Sequence, residues 1–80
     1  MAAVEDWQEV DLALEREFTF EGFPAAITFV NAVAELAEVA NHHPDIVIRY
    51  RRVTVRWWTH SSGGVTDRDR ELAAATSALL

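Results

Sequence analysis

Three histidines are the side chains of this sequence best suited to chemistry. His42 and His43 are adjacent and precede Pro44, whereas His60 comes directly before a Ser/Gly-rich segment. An imidazole has an unperturbed pKa of about 6.5, so it can donate or accept a proton near neutral pH. All three lie where predicted helices and strands end, and loops on a rigid scaffold carry many functional groups. The histidines therefore indicate an acid–base site.

Asp69 is the carboxylate that we consider together with the histidines. It could accept a hydrogen bond from an imidazole and so fix the tautomer of that ring. It also stands three residues after Thr66, which is the spacing of a helix capping box. In that role it would only stabilise the end of a helix. The sequence leaves both roles open.

Zinc binding is an alternative, with Asp67 or Asp69 completing a set of three histidines and one carboxylate. Neighbouring side chains diverge by about 100° on a helix and about 180° on a strand, so His42 and His43 would seldom converge on one ion. We therefore expect no metal. The chain has no cysteine, which excludes thiolate chemistry and disulfides.

The composition describes one small acidic domain. The chain has 80 residues, 50% of them hydrophobic, and a formal net charge of −6. We expect a single domain over residues 1–80 that gains stability as a homo-oligomer. The negative charge argues against nucleic-acid binding. No apolar run approaches the roughly 20 residues of a membrane span, so we expect no membrane partner. The acidic start is unlike a signal peptide, which predicts a cytoplasmic protein.

The elements that must position these residues follow from hydrophobic spacing. Alternating residues predict strands, and apolar residues at helical spacing predict helices. The predicted order is strand 7–10, strand 12–20, helix 25–41, strand 46–50, strand 53–58 and a helix that begins within 65–69. We predict an α+β, two-layer fold with a four-stranded antiparallel sheet and two helices on one face. A helix over 11–17 is the alternative for the second strand. The last helix is predicted to present one face consisting of Leu72, Ala75, Thr76 and Leu79.

Three aromatic residues near the histidines allow two interpretations. Trp57 and Trp58 face opposite sides of a predicted strand, and Tyr50 lies at the end of the preceding one. Such a pair is typical of one core side chain and one side chain at an interface. Stacking on a heteroaromatic substrate is the less common alternative.

The spacing of these residues is more specific than their types. The pattern Glu38-x-x-x-His42-His43-Pro44, five residues, Tyr50, nine residues, His60, eight residues, Asp69 resembles the signature of the pterin-4a-carbinolamine dehydratases. Supporting matches are Thr59-His60, Gly64, Arg68-Asp69 and Phe18-x-Phe20-x-x-Phe23. The resemblance extends from about Trp7 to the C terminus.

The resemblance implies the same β-β-α-β-β-α order and an activity in pterin cofactor recycling. The reaction is dehydration of a 4a-hydroxytetrahydropterin to a quinonoid dihydropterin by general acid–base catalysis. The resemblance therefore implies that no metal, redox group or other cofactor is required. The implied catalytic residues are His42, His43, His60 and Asp69. Among these, His42 and His60 resemble the proton-transfer groups, and His43 resembles an orienting residue. The implied substrate-binding residues are His43, Tyr50 and Thr59.

The resemblance also bears on partners. Members of the family commonly form homodimers or homotetramers, and some animal members act as coactivators by binding a transcription factor. A non-catalytic interaction module on the same fold is therefore the alternative, although retention of the histidine set favours the enzyme. The sequence departs from the family in two ways. Relatives usually have an extra helix before the Trp7 region, and they often have a small residue at the position of Trp58.

Overall fold

The computed structural model describes residues 6–80. The elements follow in the order β1 (Gln8–Val10), β2 (Ala13–Thr19), α1 (Phe23–Ala40), β3 (Asp45–Arg49), β4 (Arg52–Trp57) and α2 (Asp67–Ser77), with a 3-10 turn at His60–Ser62. This confirms the predicted order and the four-stranded antiparallel sheet. The helical alternative for 11–17 is wrong, because β2 occupies most of that segment.

The sheet has the order β1-β2-β4-β3, and every neighbouring pair is antiparallel. In the β3–β4 hairpin, Asp45 at the start of β3 pairs with Arg56 near the end of β4. In an antiparallel pair, one strand begins at the edge of the sheet where its neighbour ends. The segment before β3, which carries His42 and His43, therefore meets the segment after β4, which carries His60.

The first helix covers the sheet with one apolar stripe. The stripe consists of Ala26, Phe29, Val33 and Ala37, all buried. Phe29 packs against Phe18 of β2, with ring centroids 4.6 Å apart. The helix has 18 residues and a mean hydropathy of 1.4, so by length and composition alone it is a candidate membrane span, a test that the core helix of a globular domain also passes. Its packing against the sheet is that of a core helix.

The second helix packs on the same face of the sheet, since its buried residues join the same hydrophobic core as Trp57 and Phe29. Its inward face agrees with the prediction at Leu72 and Thr76 and differs at the other two predicted positions. The buried residues are Asp69, Leu72, Ala73 and Thr76, whereas Ala75 is half-buried and Leu79 is 40% exposed. These positions follow the i, i+3, i+4, i+7 spacing that begins at Asp69. Hydropathy did not predict this whole face, because its first buried residue is the carboxylate Asp69, which a hydropathy pattern assigns to the surface.

The opposite face of the sheet is polar. Glu15 pairs with Arg56 across β2 and β4, and Glu17 lies 3.8 Å from Arg52 across the same strands. The alternation that buries one side of β4 therefore places charged pairs on the other side.

Candidate active site

The end of α1 determines where the first two histidines lie. Asn41 adopts a left-handed conformation, with φ of 51°. Its N–H donates to the Glu38 carbonyl, and the His42 N–H donates to the Ala37 carbonyl at 3.1 Å. These two bonds form a Schellman motif, which ends the helix and satisfies its last carbonyl groups. His42 is thereby brought to the core side, where its ring lies nearly parallel to that of Trp57 with centroids 6.0 Å apart.

Asp69 lies below His42 and is completely buried. One carboxylate oxygen is 2.8 Å from Nε2 of His42. The other accepts hydrogen bonds from the Thr59 hydroxyl at 2.7 Å and from the Thr66 N–H at 2.8 Å. Thr66 is the N-cap of α2, so Asp69 also closes the predicted capping box. The two roles that the sequence left open are combined in one side chain.

These contacts keep Asp69 ionised. Burial raises the pKa of Asp69, but the hydrogen bonds from the Thr59 hydroxyl, the Thr66 N–H, His42 and the Thr66 hydroxyl together lower it by more. The net pKa is below the ordinary value of an aspartic acid. An ionised carboxylate can only accept hydrogen bonds, so Nε2 of His42 must carry the proton that it shares with Asp69.

The tautomer of His42 determines what its other nitrogen can do. When the ring is neutral and Nε2 carries the proton, Nδ1 presents a lone pair. Among residues 6–80, no group hydrogen-bonds to Nδ1, and no fully buried polar side-chain atom lacks a partner, so Nδ1 is open to solvent. This is the arrangement of a general base: one nitrogen is oriented by a carboxylate and the other is free to accept a proton.

His43 has a different environment. Its Nε2 lies 2.6 Å from a carboxylate oxygen of Glu38, one turn earlier on α1, and both side chains are more than half exposed. The adjacent histidines therefore diverge, as their spacing predicted. The sequence analysis named Glu38 only as part of the residue pattern, and the structure adds its contact with His43.

His60 begins the 3-10 turn that follows β4. The turn is closed by hydrogen bonds between the backbones of Thr59 and Gly64 and by Gly63 in the left-handed conformation, with φ of 68°. The ring of His60 contacts that of Trp58, with centroids 4.0 Å apart and an angle of 45° between the rings. His60 is thus presented at the surface on a short, well-defined turn.

A pocket of about 320 Å³ joins these segments. It is lined by Asn41, His42, His43, Trp58, Thr59, His60 and Ser61. Its volume is at the lower end of the range for small-molecule sites, about 300–1,000 Å³. The structure therefore brings the three predicted histidines to one pocket, with Asp69 behind His42.

Two residues predicted to bind substrate are placed differently from the histidines. Thr59 lines the pocket, but its hydroxyl is bonded to Asp69 and lies 2.8 Å from the Thr66 hydroxyl, so it supports the carboxylate. Tyr50 lies in the turn after β3, at the other end of a five-residue strand and about 17 Å along it from Asp45. It is 68% exposed and outside the pocket, and its role in binding stays a prediction.

The structure also places residues at the site that were not among the predicted site residues, including Trp58, for which substrate stacking was the less common interpretation. Trp58, Asn41 and Ser61 line the pocket, and Trp57 supports the ring of His42 from the core. The adjacency of Trp58 to Thr59-His60 was a usable signal, but strand alternation alone assigned it to the opposite sheet face. Within residues 6–80, no cluster of three or more His, Asp or Glu side chains is arranged to hold a metal ion.

The comparison with known families agrees with this arrangement. The sequence profile of the family described as pterin 4 alpha carbinolamine dehydratase matches residues 1–79. The chain belongs to this family. This confirms the resemblance drawn from the histidine spacing, and membership of the pterin-4a-carbinolamine dehydratases supports a dehydratase function that acts on a pterin.

Individual relatives show the same likeness over most of their length. A protein of Gloeobacter violaceus, provisionally named pterin-4-alpha-carbinolamine dehydratase 2, is 55% identical over 76 residues, covering 90% of this chain and 83% of the relative. A provisionally named dehydratase of Acidobacterium capsulatum is 49% identical over 80 residues, covering 100% of this chain and 87% of the relative.

Solved structures share the fold. The transcriptional coactivator/pterin dehydratase from Brucella melitensis superposes with a TM-score of 0.89 at 39% identity, covering 96% of this chain and 84% of that one. A pterin dehydratase-like protein, described as a RuBisCO assembly factor in the alpha-carboxysome, has a TM-score of 0.79 at 24% identity, covering 96% and 92%. At that identity, the second likeness concerns the fold alone.

Proposed function

We propose that this chain converts a 4a-hydroxytetrahydropterin to a quinonoid dihydropterin by histidine acid–base catalysis. The observation that carries the proposal is the pairing of His42 with the buried carboxylate of Asp69 at a pocket that also contains His43 and His60. Family membership supports the substrate class and the reaction. We also propose that the chain acts as a homodimer or homotetramer, which its small size supports, and that it acts in the cytoplasm.

The reaction removes a hydroxyl group from carbon 4a and a proton from N5, and it forms the C4a=N5 double bond. The leaving hydroxyl requires a proton, and the N5 proton requires an acceptor, so one acid and one base are sufficient. We assign the base to Nδ1 of His42, because ionised Asp69 holds the proton on Nε2 and would stabilise the imidazolium that forms. The acid is then His60, which lies on the other chain segment that lines the pocket, the one after β4.

His43 is proposed to orient the substrate. Its ring is held from outside by Glu38 rather than by a buried carboxylate, so it is placed on the rim and remains exposed. A polar group on the rim can hydrogen-bond to the heteroatoms of a pterin without transferring a proton. The proposal therefore predicts different kinetic consequences for the adjacent histidines.

The test is the rate at which purified full-length protein consumes a 4a-hydroxytetrahydropterin, relative to buffer. We expect His42→Ala and His60→Ala to lower kcat by about 10²- to 10⁴-fold, which is the usual contribution of general acid–base catalysis. We expect His43→Ala mainly to raise KM. Phe23→Leu is a control for surface substitution, because Phe23 lies at the far end of α1, about 27 Å along the helix from the histidines.

A folded wild-type protein that does not accelerate the reaction would refute the proposal. That result would favour the alternative of a non-catalytic interaction module. The Brucella melitensis relative, whose description includes both coactivator and dehydratase, makes this the second function to consider.

A further inference from the structure

We propose that Trp58 is the wall of the pocket on which the ring system of the pterin stacks. This inference rests on the proposed function, because it assigns a part of the same substrate to a part of the same pocket. Trp57 and Trp58 are adjacent, yet Trp57 is completely buried in the core and Trp58 lies at the pocket, half-buried. The indole of Trp58 is therefore the large flat apolar surface among the polar residues that line this pocket.

Two contacts fix the orientation of the Trp58 side chain, one at the start of β3 and one just after β4. Its Nε1–H donates to a carboxylate oxygen of Asp45, at the start of β3, at 3.1 Å. Its ring also contacts that of His60 at a centroid distance of 4.0 Å. Such contacts restrict the rotamers of a side chain before a ligand arrives, so less conformational entropy is lost when it binds.

The chemistry of the pocket is suited to a flat heteroaromatic ligand. Three imidazoles can address the polar edge of a pterin, whereas an indole can cover its face. Stacking of a nucleic-acid base, which is also a flat heteroaromatic ring, on an aromatic side chain strengthens binding by about 5- to 150-fold. Trp58 is only half-buried, and we therefore expect an effect of about tenfold here.

Direct binding of biopterin, a fully oxidised pterin, tests this role without depending on catalysis. Isothermal calorimetry should give a Kd about tenfold higher for Trp58→Leu than for the wild type, and within about threefold of the wild type for Trp58→Phe, which retains a flat ring. Phe23→Leu is the matched aromatic-to-leucine control at the surface and should leave the Kd unchanged. Far-UV circular dichroism and the unfolding midpoint establish that each variant is folded.

Asp45 provides a second and milder perturbation. Asp45→Ala removes the acceptor for Trp58 Nε1–H and should raise the Kd by about threefold, whereas Asp45→Asn retains an acceptor oxygen and should not. Because Asp45 acts through Trp58, Asp45→Ala should have no further effect when Trp58 is already leucine. This coupling in a double-mutant cycle is a result that general destabilisation would not produce.

Steady-state kinetics then separate stacking from positioning of His60. A stacked ring should contribute equally to the ground state and the transition state, so Trp58→Leu should raise KM with kcat nearly unchanged. The stacking role would be overturned if Trp58→Leu had a lower kcat with an unchanged KM, or if its Kd for biopterin equalled that of the wild type. If either of these results is found but the wild type catalyses the reaction, the proposed function stands without the stacking role. If the wild type binds biopterin through Trp58 but does not catalyse, the dehydratase proposal falls and the stacking role stands.

Discussion

Replacing Asp69 with asparagine changes one atom of a carboxylate that is completely buried beneath His42. The substitution keeps the volume of the side chain, so packing is preserved. One oxygen of Asp69 accepts from Thr59 and Thr66, and the amide oxygen of asparagine should take that place because it faces several donors. The amide NH₂ group must then face His42.

This arrangement changes which ring nitrogen of His42 carries the proton. An NH₂ group is a donor, so Nε2 of His42 must become the acceptor and the ring proton must move to Nδ1. The nitrogen that is open to solvent is then a donor and can no longer act as a base. We expect Asp69→Asn to lower kcat by about 10²- to 10⁴-fold, although every residue that lines the pocket is retained.

The same substitution should have a moderate effect on stability. Hydrogen bonds to charged groups contribute about 1.5–3 kcal/mol each and those between neutral groups about 0.5–1.5 kcal/mol. In Asp69→Asn, the two short hydrogen bonds from Thr59 and Thr66 go to a neutral amide oxygen instead of a charged carboxylate. The neutral amide also avoids the cost of burying a charge. We therefore expect a loss of about 1–2 kcal/mol, equivalent to a Tm lower by roughly 4–16 °C in a domain of this size.

The pH dependence gives an independent check. The pKa of Asp69 is lowered in the folded protein, so its contribution to stability is fully present above the unfolded pKa of about 3.9 and is lost as pH falls through the folded value. Asparagine makes no such contribution. The difference in unfolding free energy between wild type and Asp69→Asn should therefore be constant above about pH 5 and should decrease below about pH 3.9.

Asp67→Asn is the matched control. Asp67 lies in the same first turn of α2, but its side chain is 96% exposed and its carboxylate pairs with Arg70 at the surface. It should retain activity and change stability by less than about 0.5 kcal/mol. Urea unfolding at a fixed protein concentration and the dehydratase assay measure both variants. If Asp69→Asn kept wild-type kcat, or if the stability difference grew as pH was lowered, the assigned tautomer and the role of Asp69 would be refuted.

Three further predictions concern the surroundings of the site. Trp57→Phe should cost about 2–4 kcal/mol in urea unfolding, because it leaves a void and removes the bond from Nε1–H to the buried Thr76 hydroxyl; a cost below about 1 kcal/mol would contradict this packing. Asn41→Ala should cost about 1–2 kcal/mol, and Asn41→Gly should be nearly neutral, since only the first strains the left-handed residue that ends α1; equal unfolding midpoints for the two would argue against it. Glu38→Gln should change unfolding free energy by less than about 1 kcal/mol, because its pairing with His43 is exposed; a larger loss would mean that the pair is shielded from solvent.

Local patterns predicted most of the fold. Period-2 alternation placed the strands, since each strand of the sheet has one face toward the core, and helical spacing of apolar residues placed α1. The spacing of Thr66 and Asp69 correctly predicted a capping box, because that motif depends only on residues three apart. The inward face of α2 was predicted correctly at Leu72 and Thr76, but Asp69 was missed because hydropathy assigns a carboxylate to the outside.

The sequence by itself determined the family, the order of the elements and the three histidines as one candidate set. Only the tertiary structure decided how these groups are oriented. The contact of His42 with Asp69 joins residues 27 positions apart, and that of Trp58 with Asp45 depends on the register of the β3–β4 hairpin. Periodicity records which side of its own element a residue occupies. The tautomer of His42, the separation of Tyr50 from the pocket and the aromatic wall all depend on which elements meet, and that is determined by packing over the whole chain.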